Sequence, residues 1–126
     1  EVQAFAQAAD RITEDDRNRF AGIILKMDTG THEERVQADE DFHQLLIQCS
    51  GNHLLVLLMD ALSYVCREEI LMILENQAVE HVEQWKTLHR RIFDYLMIGD
   101  KEQGVDALLD HYRWGDSLLG EKSYSR

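Results

Sequence analysis

The chain has 126 residues, of which 13 are basic and 24 acidic, and its formal charge at pH 7 is −11. A surface this acidic repels phosphate backbones, which argues against nucleic-acid binding by this segment itself. The longest apolar run, Leu54 to Met59, has six residues, whereas a membrane-spanning helix needs about 20. We therefore expect neither a membrane segment nor a signal peptide.

The composition predicts one helical domain. The sequence contains no proline and is rich in Leu, Glu, Gln, Arg and Ala, which favour helices. Since no glycine-rich or serine-rich linker divides it, we expect a single domain over residues 1–126. Cys49 and Cys66 form no CxxC pair and are expected to be reduced thiols of a cytoplasmic protein, with a disulfide as the alternative.

The first helix is expected to run from the start of the chain to about Ile12. The chain opens on Glu1 rather than on methionine, and apolar residues from Val2 onward already have helical spacing. This start predicts that the chain is part of a longer protein, with a further module before it.

Capping residues mark the starts of the next two helices. Thr13 is a predicted N-cap followed by acidic residues, and its helix should reach about Asp28 before Gly30 breaks it. The segment Thr31 to Glu34 has the pattern of a capping box, and the helix that it begins should continue to Cys49.

In the second half of the chain the residues that start and end helices are less clearly marked. Gly51 should end the third helix in the left-handed conformation. The helix from His53 is apolar around much of its circumference, so we expect it at the centre of the bundle. A weak break at Glu75 to Ala78 precedes a helix closed by Gly99, and the last helix should run to about Leu119. Five or six helices with short loops predict an all-α antiparallel bundle with a central cavity.

Four polar residues lie where these helices should be apolar. Asp39 and His43 are one helical turn apart, His89 interrupts the apolar stripe of its helix, and His111 borders another stripe. Burying such groups is unfavourable unless they find polar partners. Three imidazoles and one carboxylate that converge on a divalent cation would satisfy all four. The alternatives are hydrogen-bonded core histidines and a local bond between Asp39 and His43.

Angular position favours Asp39 over its acidic neighbours. At about 100° per residue, Asp39 lies within roughly 20° of the apolar centre of its helix, while Glu40 lies toward the rim and Asp41 faces away. His81 is about 12 Å along the axis from His89, too far to share an ion. Surface or boundary positions are expected for the other histidines, His32, His53 and His81.

The order of the motifs resembles one known family. The series consists of Asp39-x-x-Phe42-His43, Ser50-Gly51-Asn52, Leu88-His89-Arg90-Arg91-Ile92, Gly99-Asp100 and Ala107-Leu108-Leu109-Asp110-His111. Over about Glu1 to Leu119 it resembles the FCD family, the C-terminal effector-binding domain of FadR-type regulators in the GntR superfamily of bacterial transcription factors. Each motif alone is weak, and the ordered series is specific. The chain departs from the family pattern at Asp94 to Ile98 and at Leu88, which leaves the helix and His89 in place.

The resemblance implies a helical bundle in which Asp39, His43, His89 and His111 bind a divalent metal, commonly zinc or nickel. Such a set of three nitrogens and one oxygen also suits ferrous iron. Family members bind small organic acids at the ion and pass the change to a winged helix-turn-helix, which would precede Glu1. We expect a homodimer, because operator half-sites match a two-fold protein, and DNA contacts only through the missing domain.

Residues around the ion would select the effector. By position the candidates are Asn52, Tyr64, Arg67 and Arg11, since an arginine beside the metal can bind a carboxylate through two hydrogen bonds. For each of them, a helix cap or a surface salt bridge is the alternative role.

Two other classes of function compete with ligand sensing. A metal ion with open positions activates water in hydrolases, and Glu40 is the candidate general base for such an enzyme. A di-iron oxidase needs two Glu-x-x-His motifs, and only Glu40 to His43 fits that spacing. A metal-free interaction bundle would leave Asp39, His43 and His89 without partners in the core. We therefore expect a sensor rather than an enzyme.

Overall fold

The structure, a computed structural model, describes residues 2–61, 67–68 and 79–124, with side chains described through residue 61, at 67–68 and over 81–118. Within these ranges the chain is helical and contains no strand. The helices are α1 (Val2–Arg11), α2 (Glu14–Thr29), α3 (His32–Cys49), α4 (described over 53–61), α5 (Val79–Ile98) and α6 (Lys101–Tyr124). The predicted all-α bundle of about six helices is confirmed.

Capping boxes begin α2 and α3, where the sequence predicts an N-cap at Thr13 and a capping box at Thr31 to Glu34. The Thr13 hydroxyl accepts a hydrogen bond from the Asp16 amide at 3.1 Å, and the Asp16 carboxylate accepts one from the Thr13 amide at 3.1 Å. Thr31 and Glu34 repeat this reciprocal pair at the start of α3. Because backbone amides bind the charged carboxylates, the pKa of Asp16 and that of Glu34 lie below their ordinary values.

Two glycines turn the chain sharply after α3 and α5. Gly51 has a φ angle of 73° and Gly99 one of 74°, the left-handed conformation that costs glycine little. The carboxylate of Asp100 then accepts a hydrogen bond from the Gln103 amide at 3.1 Å and caps α6. The loop between α5 and α6 is therefore short, and the two helices pack against each other.

The core lies where α1, α2, α3, α5 and α6 meet. Phe20 of α2 and Phe42 of α3 are fully buried and contact edge to face, with ring centroids 5.5 Å apart. In the same core, α1 approaches α6 so closely that a Cβ atom added at Gly104 would lie 2.0 Å from the ring of the buried Phe5. The absence of a side chain at Gly104 thus sets the spacing of these two helices.

The described part of α4, residues 53–61, differs from the prediction. Leu54, Leu57 and Leu58 are 74%, 66% and 53% exposed, so the described part of α4 does not lie at the centre of the bundle. An apolar helix surface favours burial, but its pattern does not specify the covering element, and the core residues that the structure describes come from the other five helices. The predicted break at Glu75 to Ala78 lies outside the described residues.

The described helices give no candidate for a membrane span, since none is both long and apolar enough. Cys49 is a free, half-buried thiol. Burial and the neighbouring Asp16 carboxylate raise its pKa to about 11, so the thiol is protonated at neutral pH. Cys66, the other cysteine, lies outside the described residues.

Candidate metal centre

The structure brings together the four polar residues that the sequence singled out. Asp39 and His43 lie on α3, His89 on α5 and His111 on α6, and each offers one ligand atom within 4.8 Å of the others. Asp39, His43 and His89 are 4%, 7% and 0% exposed, and His111 is half-buried. Metal binding by this cluster stays a prediction. It requires that the four side chains lie close together, and they do.

The helical repeat of α3 positions the first two members. Asp39 and His43 are four residues apart, so both side chains lie on the face that α3 turns toward the core. Oδ1 of Asp39 is 3.2 Å from Nε2 of His43. Phe42 contacts the rings of His43 and His89 edge to face, with centroids 5.5 and 5.4 Å apart. The aromatic ring restricts the orientations that the two imidazoles can adopt.

His89 is oriented by the backbone of its own helix. Its Nδ1 lies 2.8 Å from the carbonyl oxygen of Trp85. Because a carbonyl only accepts, Nδ1 carries the proton and donates. Nε2 therefore faces the cluster, 3.4 Å from Nε2 of His43 and 3.5 Å from Oδ2 of Asp39. A backbone carbonyl that fixes the tautomer in this way is common for metal-binding histidines.

His111 supplies the observation that tests whether a cation fits. Its ring lies against those of His43 and His89, with centroids 5.0 and 4.5 Å apart. Its buried Nδ1 has no hydrogen-bond partner within the described part of the chain. A buried polar atom without a partner is costly, and three nitrogens with one carboxylate oxygen match the preferences of zinc, nickel and ferrous iron. The residues present therefore fit a divalent cation.

The electrostatics of the cluster suit a cation as well. Burial alone would raise the pKa of Asp39, but His89 and His43 beside it hold that pKa well below its ordinary value. Burial, together with His89 and His43, lowers the pKa of His111 well below its ordinary value of 6.5. At neutral pH Asp39 is thus a carboxylate and His111 a neutral imidazole, the forms that bind metal.

These shifts predict that acid destabilises the metal-free protein. Below about pH 6.5 the unfolded chain protonates His111 more readily than the folded chain does, so this residue's contribution to stability declines as the pH falls toward the lower folded pKa. Asp39 adds a second loss below its ordinary pKa of 3.8. We expect the free energy of unfolding, measured by urea titration in chelator, to decrease between about pH 7 and 5. The variant His111→Gln should reduce this slope, and equal slopes would contradict the assignment.

Trp85, which lies in the apolar stripe that His89 interrupts, also belongs to the site. Nε1 of Trp85 donates a hydrogen bond to Oδ2 of Asp39 at 2.6 Å, and the side chain is 2% exposed. The available signal was spacing, since Trp85 precedes His89 by one helical turn and lies on the same face. Its hydrogen-bond partner, Asp39, lies on α3, 46 positions away. No sequence pattern predicts that these two side chains meet.

Among the proposed effector residues, Arg67 contacts α3 at Gln37 and Glu40. Its Nη1 donates hydrogen bonds to Oε2 of Glu40 at 3.0 Å and to Oε1 of Gln37 at 3.3 Å. The other oxygen of Glu40 accepts a hydrogen bond from Gln44 at 3.2 Å. Arg67 thus binds a carboxylate one residue from Asp39, in a half-exposed salt bridge.

Arg11 and Asn52 lie at the turn that joins α3 to α4. Oδ1 of Asn52 accepts a hydrogen bond from the Leu55 amide at 3.2 Å, which makes it a helix cap. Arg11 is exposed, and its guanidinium lies against Gly51. Tyr64 lies outside the described residues. The alternative roles considered for these positions, a cap and a salt bridge, are therefore present at Asn52 and Arg67.

Comparison with known proteins identifies a family. A family model described as the FCD domain matches residues 1–113, a range that includes all four members of the cluster. No curated protein matches the chain.

Proposed function

The chain belongs to the FCD domain family, and on that premise we propose that it is the ligand-sensing domain of a GntR-type transcription regulator whose cluster binds a divalent metal. Zinc or nickel is the metal that we propose, and a small organic acid is the effector. The observation that carries the metal is the unpartnered Nδ1 of His111, buried beside two imidazoles and a carboxylate. A cation bound by the cluster would give His111 a polar partner and would balance the charge of Asp39.

The four residues have distinct tasks in this proposal. Asp39 supplies the negative charge, while His43, His89 and His111 supply nitrogen donors on three different helices. Bound there, the metal would act as a Lewis acid able to bind a carboxylate oxygen of the effector. Because the ligands join α3, α5 and α6, a change at the site changes the packing of these helices.

We assign the recognition of the effector's carboxylate to Arg67. Its salt bridge with Glu40 at 3.0 Å supports this role, because it holds a guanidinium, a group suited to binding carboxylates, on α3 at the residue that follows Asp39. An organic acid that enters would compete with Glu40 for Arg67. Asn52, Tyr64 and Arg11 are further candidates by position.

Signal transmission requires that the effector favour one conformation over another. We propose that the domain acts in a cytoplasmic homodimer and reaches DNA only through a DNA-binding domain outside this chain, because its charge of −11 opposes direct contact. A two-fold dimer would convert a change in domain geometry into a change in the spacing of the DNA-binding heads.

The metal-dependent hydrolase is less well supported. Its candidate general base, Glu40, has one oxygen bonded to Arg67 at 3.0 Å and the other to Gln44 at 3.2 Å. A carboxylate with both oxygens engaged, one of them by a guanidinium, is a poor base. The second Glu-x-x-His motif of a di-iron oxidase is missing from the sequence. We therefore propose no catalytic residue.

Thermal unfolding with acetate, lactate, succinate and citrate tests this proposal. At a concentration of about 100 times Kd, a bound acid stabilises the protein by about 2.7 kcal/mol, which raises the melting temperature by about 10 °C in a domain of this size. We expect this rise with the zinc-loaded protein and a much smaller one with the metal-free protein.

Two arginine variants sharpen the thermal measurement. Arg67→Gln should diminish the carboxylate-dependent rise, whereas Arg90→Gln should preserve it, because Arg90 forms an exposed salt bridge with Asp28 instead. Equal rises in metal-loaded and metal-free protein would place the acid away from the cluster. A rise that Arg67→Gln leaves intact would remove Arg67 from the effector site.

A further inference from the structure

Trp85 contacts two members of the cluster through two different groups. Its indole Nε1 donates to Oδ2 of Asp39 at 2.6 Å, and its backbone carbonyl accepts from Nδ1 of His89 at 2.8 Å. Its ring also packs on that of His89, with centroids 5.1 Å apart. One residue of α5 thus restrains a carboxylate of α3 and an imidazole one turn further along its own helix.

The two carboxylate oxygens of Asp39 have different contacts. Oδ2 accepts from Trp85 and lies 3.5 Å from Nε2 of His89, and Oδ1 is in contact with Nε2 of His43 at 3.2 Å. A carboxylate on a short side chain rotates about χ2 with little resistance. A donor held at 2.6 Å by a tryptophan that is 2% exposed removes that freedom.

We propose that Trp85 is a positioning residue for the metal centre, whose indole N–H holds Asp39 so that Oδ1 is presented to His43 while Oδ2 stays beside His89. This inference rests on the proposed function, because it assigns Trp85 a task toward the same metal. This role gives a reason for a tryptophan at position 85, next to the polar side chains of Asp39 and His89. Phenylalanine would fill most of the same space without restraining Asp39.

The variant Trp85→Phe removes the indole donor and leaves the backbone carbonyl that orients His89. We expect Co²⁺ to bind it about 10–100-fold more weakly than it binds the wild type, the usual effect of removing a group that orients a metal ligand. The visible absorption of bound Co²⁺ should also change, because it reports coordination geometry, which a purely structural role would not alter. If Trp85→Phe does not fold, 3-benzothienylalanine at position 85 keeps the shape and still lacks the N–H.

Trp114→Phe is the matched control. Nε1 of Trp114 donates to Oε1 of Gln84 at 3.0 Å, so its removal deletes an indole hydrogen bond that involves neither Asp39 nor a histidine of the cluster. Co²⁺ affinity and absorption should equal those of the wild type.

The hydrogen bond between Trp85 and Asp39 can be tested without any metal. In the ¹H–¹⁵N spectrum of the apoprotein, the Trp85 indole N–H should resonate downfield and exchange slowly with solvent, and Asp39→Asn should shift it. The Trp114 signal should stay in place, and the control variant assigns it. An indole signal that Asp39→Asn does not move would overturn the pairing on which the inference depends.

The metal titration distinguishes the remaining outcomes. Wild-type binding of Co²⁺ with equal or tighter binding by Trp85→Phe would overturn the positioning role and leave the proposed function intact. Failure of the wild type to bind Co²⁺, Zn²⁺ or Ni²⁺ would overturn the proposed function and, with it, any task of Trp85 toward a metal. Weaker binding with an altered spectrum in Trp85→Phe alone would support both.

Discussion

Replacing His89 with alanine is expected to abolish metal binding and to lower the melting temperature of the zinc-loaded protein by about 10–20 °C. His89 is fully buried, and its Nε2 lies within 3.5 Å of both Asp39 and His43. A metal present at about 1,000 times Kd stabilises a folded domain by about 4.1 kcal/mol, and each kcal/mol corresponds to several degrees at this length. Elemental analysis of the purified variant and calorimetry with added zinc measure the two effects.

The alanine also removes buried contacts, so a second comparison is needed. The melting temperatures of wild type and His89→Ala in chelator give the loss of packing, and the additional difference with zinc gives the metal contribution. His32→Ala is the matched control because His32 is exposed at the start of α3. Unchanged metal content in His89→Ala would exclude this residue as a ligand, and metal loss in both variants would indicate a general effect on folding.

Substituting Gly104 with alanine is expected to destabilise the protein by about 1–3 kcal/mol, the usual cost of overpacking a core. The new Cβ would lie 2.0 Å from the ring of Phe5. Since Phe5 is 0% exposed, its ring cannot rotate into solvent, and α1 must move away from α6. Denaturation with urea at constant pH measures the change in the free energy of unfolding.

Gly115 provides the control in the same helix. No atom lies within 4 Å of a Cβ added at Gly115, among the residues that the structure describes. Alanine there should therefore stabilise α6 by about 0.5–1 kcal/mol through its higher helix propensity. Opposite signs for the two variants would establish the close contact of α1 with α6, whereas stabilisation in both would contradict it.

Local interactions explain why the helix boundaries were predictable. The reciprocal bonds of Thr13 with Asp16 and of Thr31 with Glu34 join residues three positions apart, and the left-handed turn at Gly51 depends on that residue alone. Such interactions are present in any short segment with these residues, so the pattern specifies them before the fold is known. The last helix is the exception, because α6 extends to Tyr124 rather than to about Leu119.

By itself the sequence determined the helical class, the caps, the four polar residues on apolar faces and the resemblance to the FCD family, which the family match confirms. The tertiary structure decided which side chains meet across helices. Trp85 and Asp39 are 46 positions apart, Arg67 and Glu40 are 27 apart, and Leu54 is exposed although its helix is apolar. Periodicity defines the face of each helix, whereas the rotation and offset between helices depend on how all the buried side chains pack together.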